Sequence, residues 1–295
     1  MRKKIYFIVN LISQKKFKKL KKEISNQASK HNVDFEILRS TYRGHALVLA
    51  RKAIDEKAYA VVACGGDGTI NEIARVLIDK KTPLGIIPMG SGNGIAGHFG
   101  IPSNLSDAIN IIFSDYRIKM DVGFFDEKIF LGNLGFGLES IFIKNYNEKG
   151  LHGFFAYCIA LFKSTKSFIY PKFKIEWQLN EMELRPLVLL ISNLNQQGYN
   201  FTLTPNAKSN DGNLDMVYIK KINIFQILKL LIFVIQRKEI PFNEVHRQSF
   251  SKMRITNLKG GSIEYEIDGE FFETNKKSLE ISVFNEKLSL IVSES

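Results

Sequence analysis

Short apolar runs alternate with helix-like segments through the first hundred residues of the chain. The apolar runs are 5–9, 33–38, 59–63 and 84–88, and the helix-like segments are 15–30, 44–57 and 69–78. Strands that alternate with helices of this length predict βαβ units and a parallel sheet. Ligands of such sheets bind beyond the carboxyl ends of the strands. The loops that follow the strands are therefore where functional residues are expected.

After about Asp121 the pattern changes to short strand-like segments bounded by turn residues. They lie at 128–133, 173–179, 186–192, 214–219, 253–256, 262–267 and 278–284. Only two helix-like segments, 151–168 and 222–235, interrupt them. This arrangement predicts a second, mostly antiparallel domain.

Both of those helix-like segments are strongly apolar. The segment 222–235 is shorter than the roughly 18 residues that a membrane-spanning helix needs. Basic residues flank it, which suits a helix at a membrane interface. Burial against the sheet of the second domain explains the pattern equally well. The segment 151–168 poses the same choice.

The chain has a formal net charge of +11 over 295 residues. A positive field favours anionic partners, although simple solubility explains it as readily. The lysine run at 15–22 alternates with apolar residues, so it predicts the solvated face of an amphipathic helix. Cys64 and Cys158 are too few for a disulfide framework, which favours a reducing compartment. The first apolar run ends at Asn10, so it predicts a strand and not a secretory signal.

A glycine-rich loop, Gly65-Gly66-Asp67-Gly68-Thr69, stands directly between an apolar strand and a helix. Glycines let the backbone turn tightly and approach a polyphosphate, and the following helix offers unpaired N–H groups to the phosphates. Asp67 is out of place beside an anion unless it holds a cation or handles a proton. Magnesium between Asp67 and the phosphates removes that conflict. The Lys-Ser/Thr ending of a Walker A loop is absent, which excludes a P-loop NTPase.

A second glycine-rich turn, Pro88-Met89-Gly90-Ser91-Gly92-Asn93-Gly94, follows the next strand. Turns after neighbouring parallel strands lie at the same sheet edge, so the two are predicted to flank a nucleotide. Ser91 and Asn93 supply short polar groups at that place.

The first loop, continued by Ile70-Asn71-Glu72, resembles the catalytic domain of the diacylglycerol kinase, sphingosine kinase and bacterial lipid kinase family. Four other segments are similar to family motifs in the same order: Thr41–Ala46, Arg117–Gly123, Leu203–Asp215 and Ile267–Glu270. The ordered matches cover nearly the whole chain.

The resemblance implies an α/β nucleotide-binding domain with a parallel sheet, similar to phosphofructokinase and NAD kinase, plus an all-β sandwich domain. The first is expected over 1–123, with 286–295 returning to it, and the lipid-binding sandwich over 124–285. ATP is expected in the cleft between them.

Residue roles also follow from the resemblance. It implies catalytic roles for Asp67 and Glu270, with Glu270 as a candidate general base. The nucleotide-binding residues that it implies are Asn10, Thr41, Gly65, Gly66, Asp67, Gly68, Thr69, Glu72, Gly90, Ser91, Asn93 and Asp268. The magnesium network that it implies comprises Asp67 and Asp121, with a further structural site at Lys208, Asp211 and Asn213. Glu139 falls where the family often places an Asp facing the lipid head group.

The implied activity is ATP-dependent, Mg²⁺-dependent phosphorylation of a membrane lipid hydroxyl, on diacylglycerol or a sphingoid-type lipid. The expected partners are that lipid and an anionic membrane surface, at the cytoplasmic face of the inner membrane, and no nucleic acid; a homodimer is left open. The chain departs from the family pattern at Asn10–Gln14, which lacks the usual Pro and Gly, and at Gly94, where bacterial diacylglycerol kinases carry Asp. Two alternatives stay open, a soluble-substrate kinase of the NAD kinase type and a catalytically inactive lipid- or nucleotide-binding protein.

Overall fold

The structure is a computed structural model that describes residues 3–10, 13–148, 168, 170–197, 202–220, 224–236, 238 and 241–294. The chain divides into two compact units. Unit 1 comprises Met1–Met120 and Glu286–Ser295, and unit 2 comprises Asp121–Asn285.

Unit 1 is built on a parallel sheet. In chain order, its elements are β1 Lys4–Val9, α1 Gln14–His31, β2 Asp34–Arg39, α2 His45–Asp55, β3 Ala60–Gly65, α3 Asp67–Leu77, β4 Leu84–Pro88, α4 Gly94–His98 and α5 Leu105–Ser114. The strand order is β2-β1-β3-β4, with Ile5 opposite both Phe35 and Ala60 and Val61 opposite Leu84. The predicted alternation of strands and helices is confirmed.

Burial explains why these segments take these forms. β3 is buried along its whole length, as expected for a strand covered on both faces. α1 buries Leu20, Ile24 and Ala28 at helical spacing, and its lysines are exposed, so the predicted amphipathic helix is confirmed. The Ser13 hydroxyl begins this helix by accepting from the Lys16 N–H.

Unit 2 consists mainly of antiparallel strands. Strand β5 Arg117–Phe125 leads from unit 1 into unit 2. The elements that follow are β6 Lys128–Phe130, β7 Asn133–Gly137, α6 Leu138–Glu148, β8 Phe173–Trp177, β9 Asn180–Leu184, β10 Val188–Ser192, β11 Leu214–Ile219, α7 Ile224–Ile235, β12 Val245–Phe250, β13 Lys252–Asn257, β14 Ile263–Ile267, β15 Glu270–Thr274 and β16 Ser278–Ile291.

Two layers of these strands enclose the core of unit 2. One layer has the order β12-β11-β10-β7-β14-β15, and the other joins β16, β13, β8 and β9, with β5 pairing β16 and β6. Alternate residues such as Phe136, Ile191 and Met253 point into one buried apolar cluster between the layers. The predicted β-sandwich is therefore confirmed. The last residues of β16 belong to unit 1, where Leu290 pairs with Leu84 of β4.

Some elements of unit 2 differ from the prediction. The segment 128–133, predicted as one strand, contains β6 and the start of β7 with a turn between them. Strands β9, β12 and β15 and helix α6 were not predicted, because charged or polar residues interrupt their apolar pattern.

The two apolar segments have different outcomes. Residues 151–167 of the first lie outside the described residues. The second is α7. Its Leu230 and Phe233 pack against a second buried apolar cluster, which includes Val217 and Ile219 of β11 and Val245 of β12. Phe225 and Ile232 of the same helix are exposed. Among the described helices, none has the length and apolar character needed to cross a membrane.

Candidate functional site

The two glycine turns of unit 1 touch each other at the carboxyl ends of β3 and β4. A Cβ atom added to Gly90 would lie 2.6 Å from the Gly66 Cα, and one added to Gly66 would lie 3.2 Å from the Gly90 Cα. The Met89 N–H donates to the Gly65 carbonyl over 2.9 Å. Glycine is required here because the two backbones leave no room for side chains. The prediction that the turns lie side by side is confirmed.

Asp67 joins the two glycine turns through hydrogen bonds. It lies in the first turn of α3, and its Oδ2 accepts from the Gly94 N–H over 3.0 Å while its Oδ1 accepts from the Ile95 N–H over 3.1 Å. These donors open α4, so the carboxylate fixes the second turn against the first. Desolvation raises the pKa of Asp67, and the N–H donors oppose that shift.

Asn10 ties the end of β1 to the first glycine turn. Its Nδ2 donates to the Thr69 Oγ1 over 3.1 Å, and its backbone N–H donates to the Cys64 carbonyl. A Cβ on Gly65 would lie 2.5 Å from that same Oγ1, so this position also needs glycine. By contrast, nothing lies within 4 Å of a Cβ on Gly68. The open space at the start of α3 is where the unpaired N–H groups of a helix can meet an anion.

The loop after β2 is held to the same edge. The Ser40 N–H donates to the Val9 carbonyl at the end of β1. Glu72 of α3 accepts from the Gly44 N–H over 2.9 Å and from the Ala46 N–H over 3.2 Å, so its carboxylate caps the start of α2. Glu72 thus positions the loop that carries Thr41.

The second glycine turn is shaped by Asn93. Its Oδ1 accepts from the Gly90 N–H over 2.9 Å, and its Nδ2 donates to the Gly90 carbonyl over 2.8 Å. Asn93 also has a left-handed backbone, with φ of 48°. Its amide therefore braces the turn, and Ser91 is the exposed side chain at the tip.

In unit 2, the fully buried Asp121 organises the loop before β11. Its Oδ2 accepts from the Gly212 N–H over 2.8 Å, and its N–H donates to the Ser209 carbonyl. Asp211 Oδ1 accepts from the Asn213 N–H over 3.0 Å.

The residues predicted for the structural magnesium site, two of them through backbone oxygens, lie in this loop. Asn213 Nδ2 donates to the Asp211 carbonyl, and Lys208 is exposed. The structure brings these residues into one loop, and their role as metal ligands stays a prediction.

Asp268, at the turn between β14 and β15, binds backbone N–H groups of a different turn. Its Oδ2 accepts from Leu131 over 2.9 Å, and its Oδ1 accepts from Gly132 and Asn133 over 2.8 and 2.9 Å. These contacts hold the β6–β7 turn, and the predicted nucleotide contact stays untested. Glu270 opens β15 two residues later, and its role as general base stays a prediction.

A buried pair of carboxyl groups in unit 2 was missed by sequence reasoning. A Cβ on Gly135 would lie 2.6 Å from the Glu139 Oε2 and 2.8 Å from the Glu266 Oε1, so both carboxyls fill the space above that glycine. Burial raises the pKa of Glu139 to about 7, and burial followed by the Glu139 charge raises the pKa of Glu266 well above its usual range. Two adjacent buried carboxyls cannot both ionise cheaply, so the pair holds a proton near neutral pH. Glu266 could have been noticed as an acid inside an apolar strand.

The end of β10 carries a second set of polar residues that the sequence did not reveal. Asn193 Nδ2 donates to the carbonyls of Asp121 and Leu131, over 2.9 and 3.0 Å. Ser192 Oγ donates to Asn133 Oδ1 over 2.6 Å. The only signal was a polar cluster directly after an apolar strand.

Comparison with known proteins identifies the family of this chain. Residues 4–125 match the model of the diacylglycerol kinase catalytic domain, and residues 132–292 match that of the YegS C-terminal NAD kinase beta sandwich-like domain. The chain belongs to the diacylglycerol kinase catalytic domain family. Membership in this family implies ATP as phosphoryl donor and a lipid as acceptor.

Relatives of this diacylglycerol kinase family member cover its whole length. A diacylglycerol kinase of Staphylococcus haemolyticus (strain JCSC1435) is 24% identical over 98% of this chain and 92% of its own length. One from Staphylococcus aureus (strain bovine RF122 / ET3-1) is 25% identical over 92% of this chain and 87% of its own. The crystal structure of a diacylglycerol kinase from Bacillus anthracis str. Sterne superposes with a TM-score of 0.78 at 18% identity, covering 99% of this chain and 97% of that one. That likeness supports the fold.

The residues around Asp67 fit the magnesium ion that the family resemblance implies. Within the described part of the chain, no three His, Cys, Asp or Glu side chains cluster as a complete protein cage. Magnesium is usually bound by one or two carboxylates together with substrate phosphates and water. The Asp67 carboxylate accepts from Gly94 and Ile95 and retains further lone pairs. Asp67 is one such carboxylate, and it lies beside the open space over Gly68.

Proposed function

We propose that this protein is an ATP-dependent lipid kinase that transfers the γ-phosphoryl group to a hydroxyl of diacylglycerol or a sphingoid-type lipid. The observation that carries the proposal is the contact between the two glycine turns, joined by Asp67 at the open start of α3. Phosphoryl transfer depends on positioning and charge neutralisation, which such a cradle supplies. In this proposal residues 1–123 with 286–295 hold the nucleotide and 124–285 the lipid.

Each part of the cradle has a task in this mechanism. The glycine turns let the triphosphate approach the backbone, and the N-terminus of α3 donates N–H groups to it. Asp67 is the residue of unit 1 that would hold Mg²⁺, which would supply charge neutralisation at the transferred phosphoryl group. Glu270 is proposed as the carboxylate that accepts the proton of the lipid hydroxyl. Support for Glu270 comes from the family resemblance.

A structural magnesium ion is proposed at the loop of Lys208, Asp211 and Asn213. The hydrogen bond from Gly212 to Asp121 already fixes this loop, which favours a preformed site. A thermal melt with and without Mg²⁺ tests it. Asp211→Ala is expected to remove the magnesium-dependent part of the shift in Tm.

We also propose peripheral docking on an anionic leaflet through the exposed face of α7. Phe225 and Ile232 are 73% and 53% exposed, and the exposed Lys229 lies between them at helical spacing. Leu230 and Phe233 of the same helix pack on the sheet of unit 2. The face of α7 that carries Phe225 and Ile232 is exposed, so it is available to contact a membrane. Apolar side chains beside a lysine suit the boundary between head groups and acyl chains.

The activity is tested with labelled ATP, Mg²⁺ and a panel of acceptors. The panel contains diacylglycerol, monoacylglycerol, ceramide and sphingosine in mixed vesicles, with NAD as a soluble acceptor. A labelled lipid supports the proposal. Labelled NADP alone indicates a soluble-substrate kinase, and nucleotide binding without any product indicates an inactive binding protein.

Membrane docking is tested by sedimentation with anionic vesicles at low salt. Phe225→Ser with Ile232→Ser is expected to reduce the bound fraction several-fold. Leu179→Ser is the matched control, since Leu179 is a fully exposed leucine of unit 2 outside α7. Equal binding by all three proteins would remove α7 from the proposal.

A further inference from the structure

An exposed aromatic side chain, Tyr42, stands at the ligand edge of the unit 1 sheet. Its ring stacks on the ring of His45, with centroids 4.4 Å apart and planes 3° from parallel. Tyr42 is nevertheless 61% exposed, so the face turned away from His45 is open to solvent. A flat, open aromatic face has the shape and chemistry to take a nucleobase.

The stack is rigidly built. His45 Nδ1 accepts from the Thr41 N–H over 3.1 Å and lies at the same distance from the Thr41 Oγ1. Glu72 binds the N–H groups on both sides of His45, at Gly44 and Ala46. The ring of Tyr42 is therefore supported by a loop whose backbone is fixed to α3. A supported ring loses little freedom when a base stacks on it.

Strand order puts the loop of Tyr42 and the first glycine turn on either side of β1. The sheet order is β2-β1-β3-β4; Tyr42 follows β2, and the first glycine turn follows β3. Two interstrand spacings separate these strand ends, which amounts to roughly 10 Å. A nucleoside bridges such a gap when its phosphates lie on the glycine turns. A nucleotide bound in this way would extend from Tyr42, past Asn10 after β1, to Gly66 in the first glycine turn.

We infer that Tyr42 is a specificity-determining residue that stacks on the purine base of the phosphoryl donor, with His45 supporting its ring. The inference rests on the proposed function, since it needs a triphosphate on the glycine turns. Stacking tolerates different bases but is stronger for the larger purine rings, so ATP and GTP are favoured over CTP and UTP.

Calorimetric titration of the full chain with Mg²⁺ and either ADP or inorganic tripolyphosphate tests the inference. Tyr42→Ala is expected to weaken ADP binding about fivefold to tenfold, from the loss of one base–aromatic stack. Tripolyphosphate has no base, so its affinity is expected to stay within twofold of the parent. The preference of kcat/KM for ATP over CTP should fall by a smaller factor, because CTP loses the weaker stack of a pyrimidine ring.

Two control variants separate stacking from general damage. Tyr42→Phe keeps the ring and is expected to bind ADP as the parent does. Tyr116→Ala removes another exposed tyrosine of unit 1 and should change neither affinity. Unchanged ADP affinity in Tyr42→Ala, or an equal loss for both ligands, would overturn the stacking role and leave the kinase proposal standing. If the parent binds neither ligand, the proposed function fails and this inference fails with it.

Discussion

Asp67 in unit 1 and Asp268 in unit 2 use the same hydrogen-bonding device in different surroundings. Each aspartate comes just after a buried strand and directly before a glycine. Each carboxylate accepts backbone N–H groups of a separate turn. Beside Asp67 the space over Gly68 is open, whereas the Asp268 carboxylate holds three consecutive N–H groups of the β6–β7 turn.

The difference shows that an Asp-Gly pair has no fixed function. The N–H groups around Asp67 belong to the second glycine turn, so its carboxylate joins the two turns at the open start of α3, where the proposed function puts phosphate and metal. Those around Asp268 belong to one tight turn, so its carboxylate holds that turn in place. Asp67 should therefore matter more for turnover than for stability, and Asp268 more for stability.

The largest effect is expected from Asp67→Ala. Its removal should abolish ATP-dependent lipid phosphorylation, a loss of about a thousandfold or more, because charge stabilisation at the transferred group disappears. The free energy of unfolding should fall by only about 1 to 2 kcal/mol, from the N–H groups of Gly94 and Ile95 left to solvent. Turnover assays and denaturant melts measure the two quantities.

Asp107→Ala is the matched control for Asp67, because it removes an exposed acid from the first turn of another unit 1 helix, α5. It should leave turnover unchanged. Near-normal turnover in Asp67→Ala would break the comparison and the mechanism together.

The next effect is expected from Asp268→Ala, in stability. Three backbone N–H groups lose a charged acceptor, so the free energy of unfolding should fall by about 3 kcal/mol. Asp268→Asn keeps one oxygen acceptor and should lose less. Denaturant titration measures both, and a loss below that of Asp67→Ala would show that the two aspartates do not differ as described.

The last effect concerns the pH dependence of stability and the carboxyl pair of Glu139 and Glu266. Because the folded-state pKa of Glu139 is raised from 4.5 to about 7, the unfolded chain releases that proton at lower pH than the folded one. Stability should therefore fall as pH rises through this window, by at most about 1.4 kcal/mol per pH unit for one proton. Two other charged features belong to the surroundings of this pair. The charge of Asp268 acts on Glu266, and Lys144 of α6 forms an ion pair with Glu264 of β14.

Glu139→Gln isolates the contribution of this pair. Glutamine does not titrate, so the variant avoids the cost of a buried charge; it should gain about 1 kcal/mol at pH 7 and show a flatter dependence on pH. Glu264→Gln, which removes a surface acid paired with Lys144, should keep the slope of the parent. A parallel slope in Glu139→Gln would show that Glu139 ionises normally.

Periodicity and turn chemistry were enough to predict most of unit 1. β1, β3 and β4 are buried, nearly continuous apolar runs, and glycines mark the turns after β3 and β4. The contact of those turns followed from strand adjacency. Unit 2 was harder to predict, because β9 and β15 are half-exposed strands whose charged residues hide the alternation.

The site residues could be proposed from motifs, but their hydrogen-bond partners could not. Glu72 and Asn93 were assigned to the nucleotide, and the structure has their side chains bracing the α2 start and the second turn. The pairing of Glu139 with Glu266 joins residues far apart in sequence across a helix and a strand. Such contacts depend on tertiary packing, which local patterns do not contain.

Strand β16 makes the sheet of unit 1 depend on the order of biosynthesis. Leu288, Leu290 and Ile291 are fully buried in unit 1, yet they are made only after all of unit 2 has been translated. The parallel sheet beside β4 therefore stays incomplete on the ribosome until the sandwich has been synthesised. The core of unit 1 beside β4 therefore cannot be completed on an unfinished polypeptide.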